Sequence, residues 1–277
     1  MKPLKQISLF LAFLFTGLSS PQAQACANLR LEVVYSSYDL TGNATANLPL
    51  KIKRQNNRPG CDFFLGFNEG SSNTYDRKLY LDNHTVDVQL YKNGSYSTPL
   101  KDGNDITTSA EKIEGTFPSF SGPTEITKNF YTVLTPPTDF KPVGTYSDTF
   151  IINLYKELPN GSYLRRDSGS MSFTYSVPAM VSLSIVPPGH PHDPNSTGMV
   201  LDFGTLNENE TKFFDTLVLA NTDYEIKISS ENGGRLKHQT VQEKIDYEFT
   251  FNGQLFSLTP SGSPTSVMTG VGPTPSN

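Results

Sequence analysis

The stretch Gly144–Tyr155, GTYSDTFIINLY, decides the fold. A turn glycine leads through a short polar step into a strand that ends on aliphatic and aromatic residues. That cadence suits an inner strand of a β domain, and it occurs once in 277 residues. Working outward from it, other segments share a period of two. In NLRLEVVYSSYDL, Leu29, Leu31 and Val33 alternate with polar residues; in NLPLKIKR, Leu48, Leu50 and Ile52 do so; in HTVDVQLYKNG, Val86, Val88 and Leu90. CDFFLGF, KNFYTVL and SMSFTYSV complete the set, with KNGS, KDGND and LPNGS as turn signals between many of them. Alternation of this kind marks half-buried strands. About seven strands over roughly 150 residues suit an immunoglobulin-like β-sandwich.

Composition agrees. The chain is 36% hydrophobic and 18% charged, with 21 Gly and 20 Pro, which favours short strands and turns over helices. The N-terminus is the exception and reads as a signal peptide over residues 1–25. Lys2 and Lys5 form a basic region, ISLFLAFLFTGL an apolar one too short to span a bilayer comfortably, and Ala23–Ala25 (AQA) a small-x-small cleavage site. Cys26 would be the first mature residue. A lipoprotein signal is the competing reading, disfavoured because Ala23 stands where a lipobox prefers Leu. Removing the two signal lysines leaves 20 basic against 27 acidic residues, a net charge of −7, and no basic stripe remains. Nucleic acid is therefore not an expected partner.

Cys26 and Cys61 are the only cysteines. In an exported chain an even pair reads as one disulfide, worth about 3–4 kcal/mol for a loop of this length. The strand order puts the start of the first strand and Cys61 at one pole of the sandwich, as a bridge requires. In SFTYSVPAMVSLSIV one parity runs from Phe173 to Ile185 across Pro178. Proline cannot donate to a sheet ladder, so this segment reads as two strands end to end, with Pro178 as a short interdomain linker. The division expected is an N-terminal sandwich at 26–178 and a second β-sandwich at 179–277. The second contains MVLDFGTL, FFDTLVLAN, DYEIKISSENGG and KIDYEFTFNGQLFSLT, then loses the alternating pattern after Thr259.

The first domain resembles the spore coat protein U domain family, as found in Csu-type (archaic) chaperone–usher pili. The residues that carry the resemblance are CDFFLGFNEG from Cys61, YDRKLYL, VDVQLYKNGS and above all GTYSDTFIINLY. The second resembles the pilin half of the two-domain tip adhesin of those systems, through LDFGTL, LANTDYEIKISSENGGRLKH and IDYEFTFNG. The resemblance implies assembly by donor-strand complementation. A sandwich missing one strand is completed first by a periplasmic chaperone and then, at the outer-membrane usher, by an adjacent pilin subunit. It implies export through the periplasm to the cell surface. With Cys26 tied into the first domain no free donor arm is expected, which favours a place at the pilus tip over the shaft. The second domain has no counterpart of GTYSDTFIINLY, so it is expected to lack strands at its C-terminus.

The resemblance also implies attachment to an abiotic or host surface, as in biofilm formation, through exposed apolar residues on distal loops. The candidates are Tyr96, Leu100, Phe117 and Phe120 in the long fourth connection, and Leu158, Tyr163 and Leu164 in KELPNGSYLRRDSG. The plainer reading of each is a side chain folded back onto its own domain. GHPHD (Gly189–Asp193) reads as a solvated turn before a metal site, and SSENGG as a tight turn before a sugar-binding loop. No acid–base pair, nucleophile elbow, phosphate loop or zinc spacing stands out, so neither an enzyme nor a cofactor is expected. A shaft or adaptor subunit and an exported carbohydrate-binding module are the competing functions.

Overall fold

The computed structural model describes residues 28–274 apart from 56–59, 120–121, 138–140, 206, 208, 239, 241 and 261–262. The expected signal segment, Cys26 and Phe120 lie outside the described residues. Two layers of strands face each other across one core. The first layer runs β1 (Leu29–Val33), β3 (Thr45–Arg54), β8 (Glu125–Leu134), β6 (His84–Tyr91). The second is built on β9 (Gly144–Glu157), which pairs with β10 (Tyr163–Val177) on one side and β4 (Cys61–Phe67) on the other. β7 (Ile113–Phe117) extends this layer beside β4, β2 (Ser37–Asp39) pairs in parallel with β10, and β5 (Lys78–Leu81) links β9 to β6. β5 and β7 are not among the seven alternating runs of the sequence: β5 has four residues, and β7 (IEGTF) has Gly115 where an apolar residue would mark the period.

The stretch Gly144–Tyr155 can now be read atom by atom. Gly144 sits at φ 144°, and a Cβ there would lie 2.8 Å from Leu81 Cδ2. Tyr146 is fully buried and donates its hydroxyl to the Pro142 carbonyl at 3.2 Å, a bond back across the corner that enters the strand. The Asp148 carboxylate accepts from the Ser71 amide at 2.9 Å and the Ser71 hydroxyl at 2.7 Å. It thereby holds the 3-10 turn Gly70–Ser72 against the strand. Phe150, Ile152 and Leu154 then enter the core on one parity, each no more than 1% exposed. Phe130 of β8 meets Phe67 of β4 at 5.1 Å and Phe173 of β10 at 6.4 Å between ring centroids, which closes the two layers on each other. Burying side chains of this size stabilises by about 1.5–3 kcal/mol each.

One charge is built into this core. Arg77, 1% exposed, donates to the carbonyls of Phe67 (2.9 Å), Asn68 (2.8 Å) and Leu100 (2.7 Å) and to Gln89 Oε1 (2.7 Å). Desolvation lowers its pKa to about 10, so it stays charged at neutral pH. The four acceptors compensate the buried cation and fasten the end of β4 and the Leu100 loop to β6.

β10 ends at Val177, and β11 (Val181–Val186) begins after Pro178, where the chain was expected to change element. Asn221, 3% exposed, clamps the joint. Its Nδ2 donates to the Pro178 carbonyl at 2.9 Å, and its Oδ1 accepts from the Met180 amide at 2.7 Å. Beyond the joint the strands pair only two by two among the described residues. β11 pairs with β12 (Asp215–Ala220), β13 (Tyr224–Ile228) with β18 (Thr265–Gly270), β14 (Arg235–Lys237) with β15 (Lys244–Asp246), and β16 (Phe249–Phe251) with β17 (Gln254–Phe256). The core cluster described above stops at Val177.

Candidate functional site

Two surfaces stand out. The first is the pole of the N-terminal sandwich away from Pro178. Cys61 pairs with Phe117, Phe63 with Lys156, and the β9–β10 turn closes at Glu157 and Tyr163, so the starts of β4 and β10 and the ends of β7 and β9 share this pole. Leu29, at the start of β1, is opposite Arg54 and belongs to the same end. Cys61 is not a free thiol; its expected partner Cys26 is outside the described residues.

The apolar candidates separate sharply. Leu164 is 46% exposed and Tyr96 is 38% exposed, while Leu158 and Tyr163 are half-buried. Leu100 and Phe117 are fully buried, which corrects their assignment to exposed loops. Leu100 is drawn inward because its amide bonds to the Leu90 carbonyl at 2.8 Å, extending the β6 ladder. Phe117 is the last residue of β7 rather than part of a loop; its ring lies 5.4 Å from that of Phe63, under the Arg54 guanidinium at 4.9 Å. In both cases turn-rich composition concealed residues that complete a ladder.

Tyr163 is partly committed to structure. Its ring packs edge-on to Phe64 (5.2 Å) and Tyr155 (5.1 Å), and its hydroxyl donates to Asn104 at 2.6 Å. Asp102 pins the same loop to β9 by accepting from Asn153 at 2.6 Å and Tyr155 at 3.0 Å. Desolvation, then the Asp102 charge, pushes the Tyr155 phenol well above its ordinary range, and desolvation takes Tyr75 up to about 12. Further along, Glu111 accepts from Lys101 at 2.7 Å, the Thr107 amide at 2.6 Å and the Thr108 amide at 2.9 Å. Lys101 above all, with those amides, holds its pKa down at about 2. The loop is thus held by charge-assisted bonds, which positions whatever the pole presents.

The second surface is the open face of β11. Val181 and Leu183 are 55% and 39% exposed, although their parity continues the core parity of β10. The opposite face of β11 is covered by its own chain. The segment 187–196 folds over it, so that Ser184, fully buried, accepts from the Asp193 amide at 3.1 Å, and Ser182 lies 3.3 Å from His192 Nε2. GHPHD belongs to this cover, and no group of three or more metal-ligating side chains occurs among the described residues. Phe213 (72% exposed), Ile245 (55%) and Leu255 (58%) add further uncovered apolar side chains in the C-terminal region. SSENGG is a tight turn, with Gly233 at φ 60° and Gly234 at φ 78°.

No curated protein matches the chain at a significant level. Solved structures that resemble it include CfaE, the adhesive subunit of CFA/I fimbria of enterotoxigenic Escherichia coli, at 12% identity and TM-score 0.34, covering 55% of this chain. The match spans 49% of that protein, about half its length. A chain of the CsuC–CsuE chaperone–tip adhesion subunit pre-assembly complex from archaic chaperone-usher Csu pili of Acinetobacter baumannii matches at 12% identity and TM-score 0.34. That match covers 87% of this chain and 99% of that one. The CooA pilin subunit from enterotoxigenic Escherichia coli matches at 15% identity and TM-score 0.30, over 55% of this chain and 99% of that one. The Spore Coat Protein U domain matches residues 38–153, the part of the N-terminal sandwich from β2 into β9 that contains Cys61, Arg77 and the GTYSD turn. Over these residues the chain is similar to the Spore Coat Protein U domain.

Proposed function

We propose that this chain is a non-catalytic, exported pilus subunit that ends the fibre as its tip adhesin. The observation that carries the reading is the contrast between a closed N-terminal sandwich and the uncovered apolar face of β11. An apolar face that its own chain leaves uncovered is what a strand from another chain can complete. A strand from a periplasmic pilus chaperone covers it first; at the outer-membrane usher a strand from the adjacent subunit takes over. Residues 26–178 form the adhesin domain, 179–277 the pilin domain, and Pro178 the linker. The Cys26–Cys61 bridge anchors the start of the mature chain at the distal pole. There Leu158, Tyr163 and Leu164, with Tyr96 on the flank, make the apolar contact with an abiotic or host surface.

Coexpression of the full chain with the periplasmic pilus chaperone of the same genome tests the assembly step. The two proteins are expected to co-elute one to one. The double substitution Val181→Asp, Leu183→Asp should abolish co-elution while the N-terminal sandwich still melts cooperatively. A chain that stays monomeric and uncaptured beside that chaperone contradicts the reading. Leu164→Ser tests the attachment step: adhesion to polystyrene should fall with an unchanged melt, and undiminished adhesion removes this pole as the contact.

A further inference from the structure

The flank of the N-terminal sandwich carries a cavity that neither surface above uses. Its volume is about 490 Å³, and it runs along β5 and β6, lined in part by Asp76, Lys78, Asp87, Gln89, Tyr91 and Thr135. That volume lies within the range of small-ligand sites. The floor is preorganised. Arg77 spends its guanidinium on four acceptors, and Gln89 accepts from Arg77 and from the Leu90 amide at 3.0 Å while donating to the Tyr75 carbonyl. Hydrogen bonding to a guest therefore falls to the rim: the exposed Asp76 and Asp87 carboxylates and the Thr135 hydroxyl. Lys78 is already paired with Asp87 at 2.6 Å.

At one end the lining continues into a tyrosine cluster. Tyr91 meets Tyr96 at 5.6 Å and 73°, and Tyr96 meets Tyr131 at 6.3 Å and 78°. Tyr96 holds φ 52°, a left-handed conformation that bulky side chains rarely adopt. Its turn is fixed by Asn93, whose Oδ1 accepts from the Ser95 amide at 3.2 Å and the Ser95 hydroxyl at 2.5 Å. Tyr131 sits opposite Tyr91 across β6–β8, and the exposed Asn47 sits opposite Tyr131 across β3–β8. Carboxylates, a hydroxyl, aromatic rings and an amide thus follow one another along one flank.

We propose that this flank binds a neutral saccharide. Asp76 and Asp87 take its hydroxyls, and Tyr91, Tyr96 and Tyr131 pack against the C–H faces of its rings. The order of groups matches a guest that is polar around its edge and apolar on its faces. The charges give an anionic guest no open cation among the lining residues: Asp76 and Asp87 balance Arg77 and Lys78, the Arg77 guanidinium is fully occupied, and Lys78 is paired with Asp87. The proposal is independent of fibre assembly, since it rests on the flank of the N-terminal sandwich alone.

The test uses the full exported chain on an array of glycans terminating in glucose, galactose, mannose, N-acetylglucosamine or sialic acid. At least one neutral-terminated series should be retained and its sialylated counterpart should not. In titration calorimetry with the best-retained oligosaccharide, Tyr91→Ala and Asp87→Asn should each weaken binding by about tenfold or more. At the pole, Leu164→Ser should leave it within about threefold. Asp87→Asn alters a 63% exposed side chain and keeps the test valid if Tyr91→Ala fails to fold. Retention of no neutral glycan, retention of sialylated glycans only, or binding indifferent to both Asp87→Asn and Tyr91→Ala overturns the proposal.

Discussion

On β9, Phe150, Ile152 and Leu154 occupy alternate positions and are each no more than 1% exposed; on β11, Val181 and Leu183 keep the same spacing and are 55% and 39% exposed. The two strands carry one pattern and meet opposite fates. β9 lies between β4 and β10, with the layer of β3 and β8 across the core, so its inward parity has somewhere to go. β11 has β12 on one side, and the segment 187–196 covers its serine face instead of its valine and leucine face. A period of two says which residues share a face, and it says nothing about what covers that face. The difference teaches where the molecule is finished: the closed core belongs to the N-terminal sandwich, and the C-terminal region leaves apolar side chains uncovered.

The comparison breaks most visibly under truncation of the β9 core. Phe150→Ala should cost about 3–5 kcal/mol and unfold the N-terminal sandwich cooperatively in a urea titration followed by tyrosine fluorescence. A loss as small as that of a surface change would show that this core is not closed. Arg77→Met comes next. Leaving three buried carbonyls and Gln89 without their donor should cost about 2–4 kcal/mol, read as a lower urea midpoint at unchanged slope.

Acid sharpens the comparison at one residue. The folded pKa of Glu111, about 2, lies below the unfolded value of about 4.3. Its stabilisation is therefore complete above pH ~4.3 and is lost as pH falls toward 2, an effect of about 1–3 kcal/mol. Glu111→Gln should lower stability at pH 7 and flatten that part of the acid profile; an acid limb identical to that of the parent protein would refute the assignment. The smallest effect is expected on β11. Leu183→Ser should shift the melt of the isolated chain by about 1 kcal/mol or less, because a side chain 39% exposed has less burial to lose than Phe150. A cost near that of Phe150→Ala would mean that the face is already covered.

Much of this was legible before any coordinates. The long alternating strands and the change of element at Pro178 follow from period and proline chemistry, and the structure places them as expected. Two short strands were not legible, since Lys78–Leu81 has four residues and Ile113–Phe117 has Gly115 where a third apolar residue would show the period. That gap misplaced Phe117, and a bridge between Tyr91 and Pro99 beside an apparent loop misplaced Leu100. Arg77 was missed because an arginine in YDRKLYL looks like any surface charge until four acceptors converge on it. The tyrosine cluster was missed because Tyr91 and Tyr131 meet through strand register, which a linear reading does not contain.

The most direct test of the central claim is hydrogen–deuterium exchange on the full chain, alone and with the pilus chaperone proposed as its partner. Alone, amides of β3, β6, β8, β9 and β10 should exchange slowly and those of residues 181–270 quickly. Addition of the chaperone should slow exchange across β11, β12, β13 and β18 and leave the N-terminal sandwich unchanged. Uniformly slow exchange across both regions in the isolated monomer would contradict the account, because it would show a C-terminal region that needs no strand from another chain.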